Sequence, residues 1–127
     1  MSLSTANGAT ALVVLVVEDE FFVRFNIATC LRDQGYVVVE TASGEEAIAL
    51  CKSDMSIDMV FTDINLIGKA TGWDLAEYFE IERPDVPVLY TSGKPLDARR
   101  CIRRSEFVAK PYNHADILKA VQRLQNI

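Results

Sequence analysis

Leu12–Val17 is an unbroken run of Val and Leu that stops abruptly at three acids, Glu18-Asp19-Glu20. A run that is apolar at every position, rather than at alternate ones, is the pattern of a strand covered on both faces, as in a parallel sheet. The pattern recurs along the chain. Tyr36–Thr41 is rich in β-branched residues, and Asp58–Thr62 delivers Asp63. Val86–Tyr90 leads into Thr91-Ser92-Gly93, and Glu106–Ala109 into Lys110-Pro111. Pro87 stands at the start of the fourth run, where a missing backbone donor is tolerated.

Between these runs the spacing is helical. Phe21, Phe22, Phe25, Ile27, Ala28 and Leu31 form an apolar stripe that ends near Gly35, a residue suited to the left-handed cap position. Ser43-Gly44-Glu45-Glu46 is a capping-box pattern opening a second helix through Ala47, Ile48, Leu50 and Cys51. Trp73–Glu82 carries Trp73, Leu75, Ala76, Tyr78 and Phe79 as a third inward stripe, closed before Pro84. Lys94–Ser105 supports one short helix around Leu96–Arg103, with a thin stripe of Leu96, Ala98, Cys101 and Ile102. Asn113 caps the last helix, with Asp116 in its first turn and Ile117, Leu118, Val121 and Leu124 facing inward. Five strands alternating with helices imply right-handed βαβ units, hence a parallel sheet with helices on both faces. Residues 11–127 form this single domain, preceded by a flexible tail at 1–10.

Composition removes several classes of function. A chain of 127 residues is large enough to bury a core without staples. Its net charge of −5 opposes a nucleic-acid surface, and Arg99, Arg100, Arg103 and Arg104 read as a solvated helix face. Cys30, Cys51 and Cys101 lack paired metal spacing and read as small hydrophobes in a reducing compartment. Ala11–Val17 is too short to span a bilayer, and the first ten residues lack the basic start and apolar centre of a signal peptide. The expectation is a soluble cytoplasmic protein with neither nucleic acid nor membrane as partner.

In a parallel sheet every strand's carboxyl end lies along one edge. Glu18, Asp19, Asp63, Ser92 (or Thr91) and Lys110 can therefore meet there. Three carboxylates in one place repel each other unless a cation lies among them, and a hard divalent ion with oxygen ligands, Mg²⁺ above all, suits such a set. A lysine and a hydroxyl aimed at the same point suit an anionic group bearing several oxygens, such as a phosphoryl. An aspartate beside both can act as a nucleophile toward phosphorus. Taken singly, each piece has a plainer reading: Glu18 and Asp19 cap the next helix, Asp63 is a turn residue, Ser92-Gly93 is a turn pair, and Lys110 is a solvated loop. All of them in strand order make that joint reading improbable.

The motifs VLVVEDE at 14–20, FTDINLIG at 61–68, PVLYTSG at 87–93 and FVAKPY at 107–112 bring a family into view. From about Leu12 to Leu124 the sequence resembles the receiver domains of two-component response regulators. The resemblance implies a flavodoxin-like (βα)₅ doubly wound sheet of strand order 2-1-3-4-5. In it Asp63 accepts a phosphoryl group from a phosphohistidine of a sensor histidine kinase or histidine phosphotransfer protein. Glu18 and Asp19 match the acidic pair that holds Mg²⁺ (or Mn²⁺), with Asp63 and the backbone carbonyl of Asn65 as further ligands. Lys110 matches the lysine that pairs with phosphoryl oxygens, and the Lys110–Pro111 bond is expected to be cis. Counted from Pro87, Ser92 falls on the family's hydroxyl position, whereas Thr91 is one residue early and alternation turns it to the opposite face. Phe107 matches the aromatic that couples the site to the output face. The family is a regulatory phosphoacceptor rather than an ordinary enzyme, and the resemblance implies a downstream effector without naming it.

The sequence also departs from the family pattern. Ile67 replaces the usual proline, the loop after Asp63 is slightly long, and the stretch between Ser92 and Phe107 is several residues short. An abbreviated or irregular fourth helix follows, and with it a monomer or weak dimer instead of the standard dimer. Three other readings compete. A pseudo-receiver that is never phosphorylated would not need the intact acids, Asp63 and Lys110. A small phosphohydrolase would want a second acid where Asn65 stands, and a cap. A flavin- or nucleotide-binding protein would want a Gly-rich loop after the first strand. His114 reads as an exposed helix-start residue, not a phosphotransfer histidine.

Overall fold

Five parallel strands form one sheet in the computed structural model, which describes residues 11–126; the tail expected at 1–10 lies outside the described residues. The strands are Val13–Val17 (β1), Val37–Thr41 (β2), Met59–Asp63 (β3), Val88–Ser92 (β4) and Ser105–Ala109 (β5). Their order is β2-β1-β3-β4-β5, as expected, which places β3 at the centre. The helices are Phe21–Asp33 (α1), Gly44–Lys52 (α2), Gly72–Glu82 (α3) and His114–Gln125 (α4).

The pleat divides each strand between two cores. Val14, Val16, Met59, Phe61, Leu89 and Val108 pack with Ile27 and Leu31 of α1 and Ile117, Val121 and Leu124 of α4. Leu15, Val17, Val60, Val88 and Tyr90 pack on the other face with Ala47 and Cys51 of α2 and Leu75, Ala76 and Phe79 of α3. This two-sided cover is why the strand sequences are apolar throughout. The three cysteines are unpaired, and Cys30 and Cys51 are buried as small hydrophobes.

Side-chain caps start every helix. Ser43 accepts from the Glu46 amide, and Asn113 with Asp116 makes a full capping box. Thr71 and Asp74 form a second full box, which starts α3 at Gly72. Glu20 caps α1 by accepting from the Phe22 and Val23 amides. Gly35 adopts φ +93° just past the end of α1, the left-handed conformation that glycine takes without steric cost.

Four expectations need correction. The apolar stripe of α1 is shifted: Phe21, Phe22 and Phe25 are 56%, 70% and 50% exposed. The inward arc runs through Ile27, Ala28 and Leu31, and Arg24 occupies its N-terminal end, donating to the Glu18 carbonyl at 2.8 Å. Strand β4 runs two residues further than expected, because the ladder to β5 continues through Thr91–Val108 and Ser92–Ala109. The helix expected around Leu96–Arg103 is a single 3₁₀ turn, Ala98–Arg100. Finally, the arginines of this crossover do not form one solvated helix face: Arg99 and Arg103 are exposed, but Arg100 and Arg104 are not. Arg100 bonds Glu77 at 3.0 Å and Asp74 at 3.4 Å on α3 and lies over the Trp73 ring, and Arg104 donates to the Asp85 carbonyl.

Candidate functional site

The carboxyl edge of the sheet assembles most of the expected residues. Asp63 is the last residue of the central strand and is 5% exposed. Its Oδ2 accepts from Lys110 Nζ at 2.7 Å, and its Oδ1 accepts from the Asn65 amide at 3.0 Å. Lys110 follows β5 directly, ahead of a cis bond to Pro111, as expected. Glu18 follows β1 and is 2% exposed. One of its oxygens accepts from the Glu20 amide at 3.0 Å; the other, Oε1, has no hydrogen-bond partner and stands 3.9 Å from Lys110 Nζ.

The remaining residues join through intermediaries. Ser92 Oγ accepts from Asn65 Nδ2 at 3.2 Å and from the Lys94 amide at 3.0 Å. Asp19 Oδ2 accepts from the Ile67 amide at 2.8 Å, which ties the acidic turn after β1 to the loop after β3. Thr91 lies in register with Asp63, and its fully buried hydroxyl has no partner. Phe107 is half-buried against the core shared by α2 and α3.

Electrostatics follows from this crowding. Burial pushes the Glu18 carboxyl up to about 7, helped by Asp19 and the Asp63 charge and opposed by the Glu20 amide and Lys110. For Lys110, burial pulls downward, but the hydrogen bond to Asp63 and the charges of Asp63, Glu18 and Asp19 outweigh it and hold the ammonium above the usual lysine value. The lysine is charged and aimed at Asp63.

Among the described residues no three Asp, Glu, His or Cys side chains stand as a ready-made metal cage. The reason is local: Asp19 and Asp63 are each turned toward protein donors. The donor set nevertheless fits a hard divalent cation. It is oxygen throughout, it is anionic, and it contains a buried carboxylate oxygen, Glu18 Oε1, without a donor.

Sequence reasoning missed three contributors. Glu20 takes the capping role, which frees Glu18 and Asp19 from it. Its signal was present, an acid three residues before Val23. Arg24 fixes the Glu18 backbone and pairs with Glu40 at 3.4 Å. The Asn65 side chain links Ser92 to the loop. The last two are contacts between separate elements and leave no local pattern.

Residues 14–122 match the family model described as response regulator receiver domain. The chain belongs to this family. Over 117 residues the receiver is 29% identical to the two-component response regulator ORR3 of Oryza sativa subsp. indica, which covers 87% of this chain and 88% of that protein. A response regulator receiver protein from Sinorhizobium medicae WSM419 superposes with a TM-score of 0.87 at 31% identity, over 91% of this chain and 95% of that one. The receiver domain of sensor histidine kinase PA1611 from Pseudomonas aeruginosa PAO1, solved with a magnesium ion coordinated in its active site cleft, shares the fold. Its TM-score is 0.80 at 22% identity, over 93% of this chain and 100% of that one. The receiver is thus a regulatory domain of the two-component type, a class that interacts with histidine kinases. No helix among its described residues is long and apolar enough to cross a membrane.

Proposed function

We propose that this receiver accepts a phosphoryl group on Asp63 from the phosphohistidine of a histidine kinase or histidine phosphotransfer protein in the cytoplasm, in a Mg²⁺-dependent reaction, and that the modification switches its conformation. The observation that carries this reading is the Lys110 ammonium 2.7 Å from a buried Asp63 carboxylate, with a second buried carboxylate left without a donor beside it. A purely structural ion pair has no use for that extra acid, since an unmatched buried charge is costly.

An Asp63 oxygen attacks phosphorus in line. The P–N bond to the donor imidazole breaks, and its electron pair returns to the ring nitrogen. Lys110 and the Ser92 hydroxyl hold the transferred oxygens. Glu18, Asp19, Asp63 and the Asn65 carbonyl are the groups that would hold the divalent cation, which neutralises charge as the phosphoryl group arrives. Asn65, adjacent to the acceptor, tunes the approach of hydrolytic water and so the lifetime of the aspartyl phosphate. Drawing Ser92 toward the phosphoryl group costs it the Asn65 and Lys94 contacts. Phe107 turns inward as Ser92 moves. A bias of a few kcal/mol is enough to make a minor conformer the major one. Exposed Phe21, Phe22 and Phe25 on α1, with Ile67 in the loop after β3, provide the apolar surface on which the donor protein rests. The crossover without a full helix leaves the protein a monomer or weak dimer.

Intact mass after incubation with acetyl phosphate tests the chemistry. A gain of one phosphoryl group that requires Mg²⁺ and vanishes in Asp63→Asn is the expected outcome. A folded wild type that never gains mass would make the domain a binding module only.

A further inference from the structure

We propose that Glu45, on the first turn of α2, is a positioning residue for the phosphoacceptor pocket: it seats the β3–α3 loop so that the loop backbone can serve Asp19 and a cation beside Asp63. The inference rests on the Mg²⁺-dependent reading above.

In sequence Glu45 looks like one more acid at a helix start. The capping work there belongs to its neighbours, however: Ser43 accepts from the Glu46 amide, and Glu46 Oε1 accepts from the Ala42 amide at 2.9 Å. Glu45 instead reaches across to a separate element. Its Oε2 accepts from the Lys69 amide at 3.3 Å and its Oε1 from the Ala70 amide at 3.4 Å. These amides, Lys69 first, hold the carboxyl below the usual glutamate range, so it is ionised at neutral pH.

The fit on the loop side is steric as well as polar. Gly68 adopts φ +105°, and a Cβ there would lie 2.7 Å from Glu45 Oε2. A Cβ on Gly44 would lie 2.8 Å from the Ala70 carbonyl oxygen. The first two residues of α2 therefore form a seat into which residues 68–70 are pressed.

The same loop serves the pocket at its other end. Its Ile67 amide, next to Gly68, donates to Asp19 at 2.8 Å, and its Asn65 amide donates to Asp63 at 3.0 Å. The Gly72 amide closes the loop base onto the Ile64 carbonyl at 2.8 Å. Between the two ends stands one flexible glycine. With Glu45 in place the path from Ala70 to Asn65 is held at both ends. Without it, the freedom of Gly68 passes to Ile67 and Asn65, and ordering them becomes a cost of cation binding.

Amide NMR with Mg²⁺ as titrant, on wild type, Glu45→Ala and Glu45→Gln, decides the matter. The expected result is a Mg²⁺ midpoint raised on the order of 3–10-fold in Glu45→Ala, the loss of one ordering term. Glu45→Gln keeps an acceptor oxygen and should fall between the two, and the Lys69 and Ala70 amides should shift in both variants without Mg²⁺. A purely structural role would lower the urea midpoint and leave the Mg²⁺ midpoint unchanged, which would overturn the proposal. Should Glu45→Ala fail to fold, an unchanged Mg²⁺ midpoint in Glu45→Gln would overturn it equally. A folded wild type blind to Mg²⁺ would sink the cation reading itself, and this inference with it.

Discussion

Thr91 and Ser92 are adjacent hydroxyls with opposite hydrogen-bonding states, and this separates what their substitutions should do. Ser92 Oγ accepts two hydrogen bonds, from Asn65 Nδ2 and the Lys94 amide, whereas Thr91 Oγ1 is buried with none. A net hydrogen bond is worth about 1 kcal/mol, and a buried donor or acceptor left unmatched costs a similar amount or more. Ser92→Ala should therefore lower stability by about 1–2 kcal/mol in urea unfolding and slow acetyl phosphate labelling of Asp63. Thr91→Val keeps the shape and removes an unmatched hydroxyl, so it should be neutral or stabilising by up to about 1 kcal/mol, with labelling intact. Labelling that survives Ser92→Ala but fails in Thr91→Val would reverse the assignment. That Thr91 and Ser92 face opposite ways was legible from strand alternation. The Asn65 amide that holds Ser92 was not, because a side-chain contact across 27 positions has no local signature.

The crossover between β4 and β5 is an element held by its surroundings rather than by its own hydrogen bonds. Its one 3₁₀ turn spans three residues. The Tyr90 hydroxyl accepts from the Ile102 amide at 3.2 Å, and Arg100 bridges Glu77 and Asp74 while lying 5.6 Å from the Trp73 ring centre. Trp73 in turn packs on Tyr90 at 4.9 Å. Exposed ion pairs contribute little singly, and a partly exposed cation–π contact about 0.5–1 kcal/mol. Arg100→Ala should thus cost about 1 kcal/mol globally while loosening the segment around the 3₁₀ turn. The Arg103 amide on Glu80 at 3.1 Å and buried Ile102 are left to hold its far end on α3. Faster amide exchange over residues 96–104 and altered emission from Trp73, the single tryptophan, are the readouts. Arg99→Ala is the control: its side chain is 92% exposed, pairs with Asp97 in the same turn, and should change neither. The same dependence on tertiary contacts explains what could be read in advance. Strands β1 to β5 and helix α4 were legible because burial on both faces or on one stripe writes itself into residue order. The crossover was legible as a short or irregular helix with a thin stripe; its reduction to one 3₁₀ turn and its docking on α3 were not. The α1 stripe misled for a related reason: Phe21, Phe22 and Phe25 have the hydrophobicity of core residues but lie off the arc that Ile27, Ala28 and Leu31 define.

For the whole molecule, the sheet brings the candidate strand-end residues to one edge and leaves the two cores to supply stability. The cost of that arrangement is concentrated at Glu18, among the described residues the one acid that is both buried and short of a donor. Its folded pKa of about 7 lies above the ordinary glutamate value of 4.5. Such a group contributes stability that is fully present below about pH 4.5 and is lost as pH rises through 7, because ionisation is easier in the unfolded chain. Glu45, Asp74 and Asp97 behave in the opposite way. Hydrogen bonds hold them low, from the Lys69 amide, the Thr71 amide and the Arg99 side chain respectively, so what they contribute is present at neutral pH and lost in acid. In metal-free buffer the thermal midpoint should accordingly be highest near pH 5, lower at pH 8 and lower again below pH 4. The fall from pH 5 to 8 reflects roughly 2–3 kcal/mol from Glu18. Glu18→Gln should flatten that limb and leave the acid limb in place. A divalent cation that binds the ionised carboxylate should act selectively on it: Mg²⁺ should raise the wild-type midpoint more at pH 8 than at pH 5, where the proton must first be displaced. Equal stabilisation at both pH values, or a wild-type profile matching that of Glu18→Gln, would place the cation away from Glu18. It would also detach the stability of the fold from the chemistry at its edge.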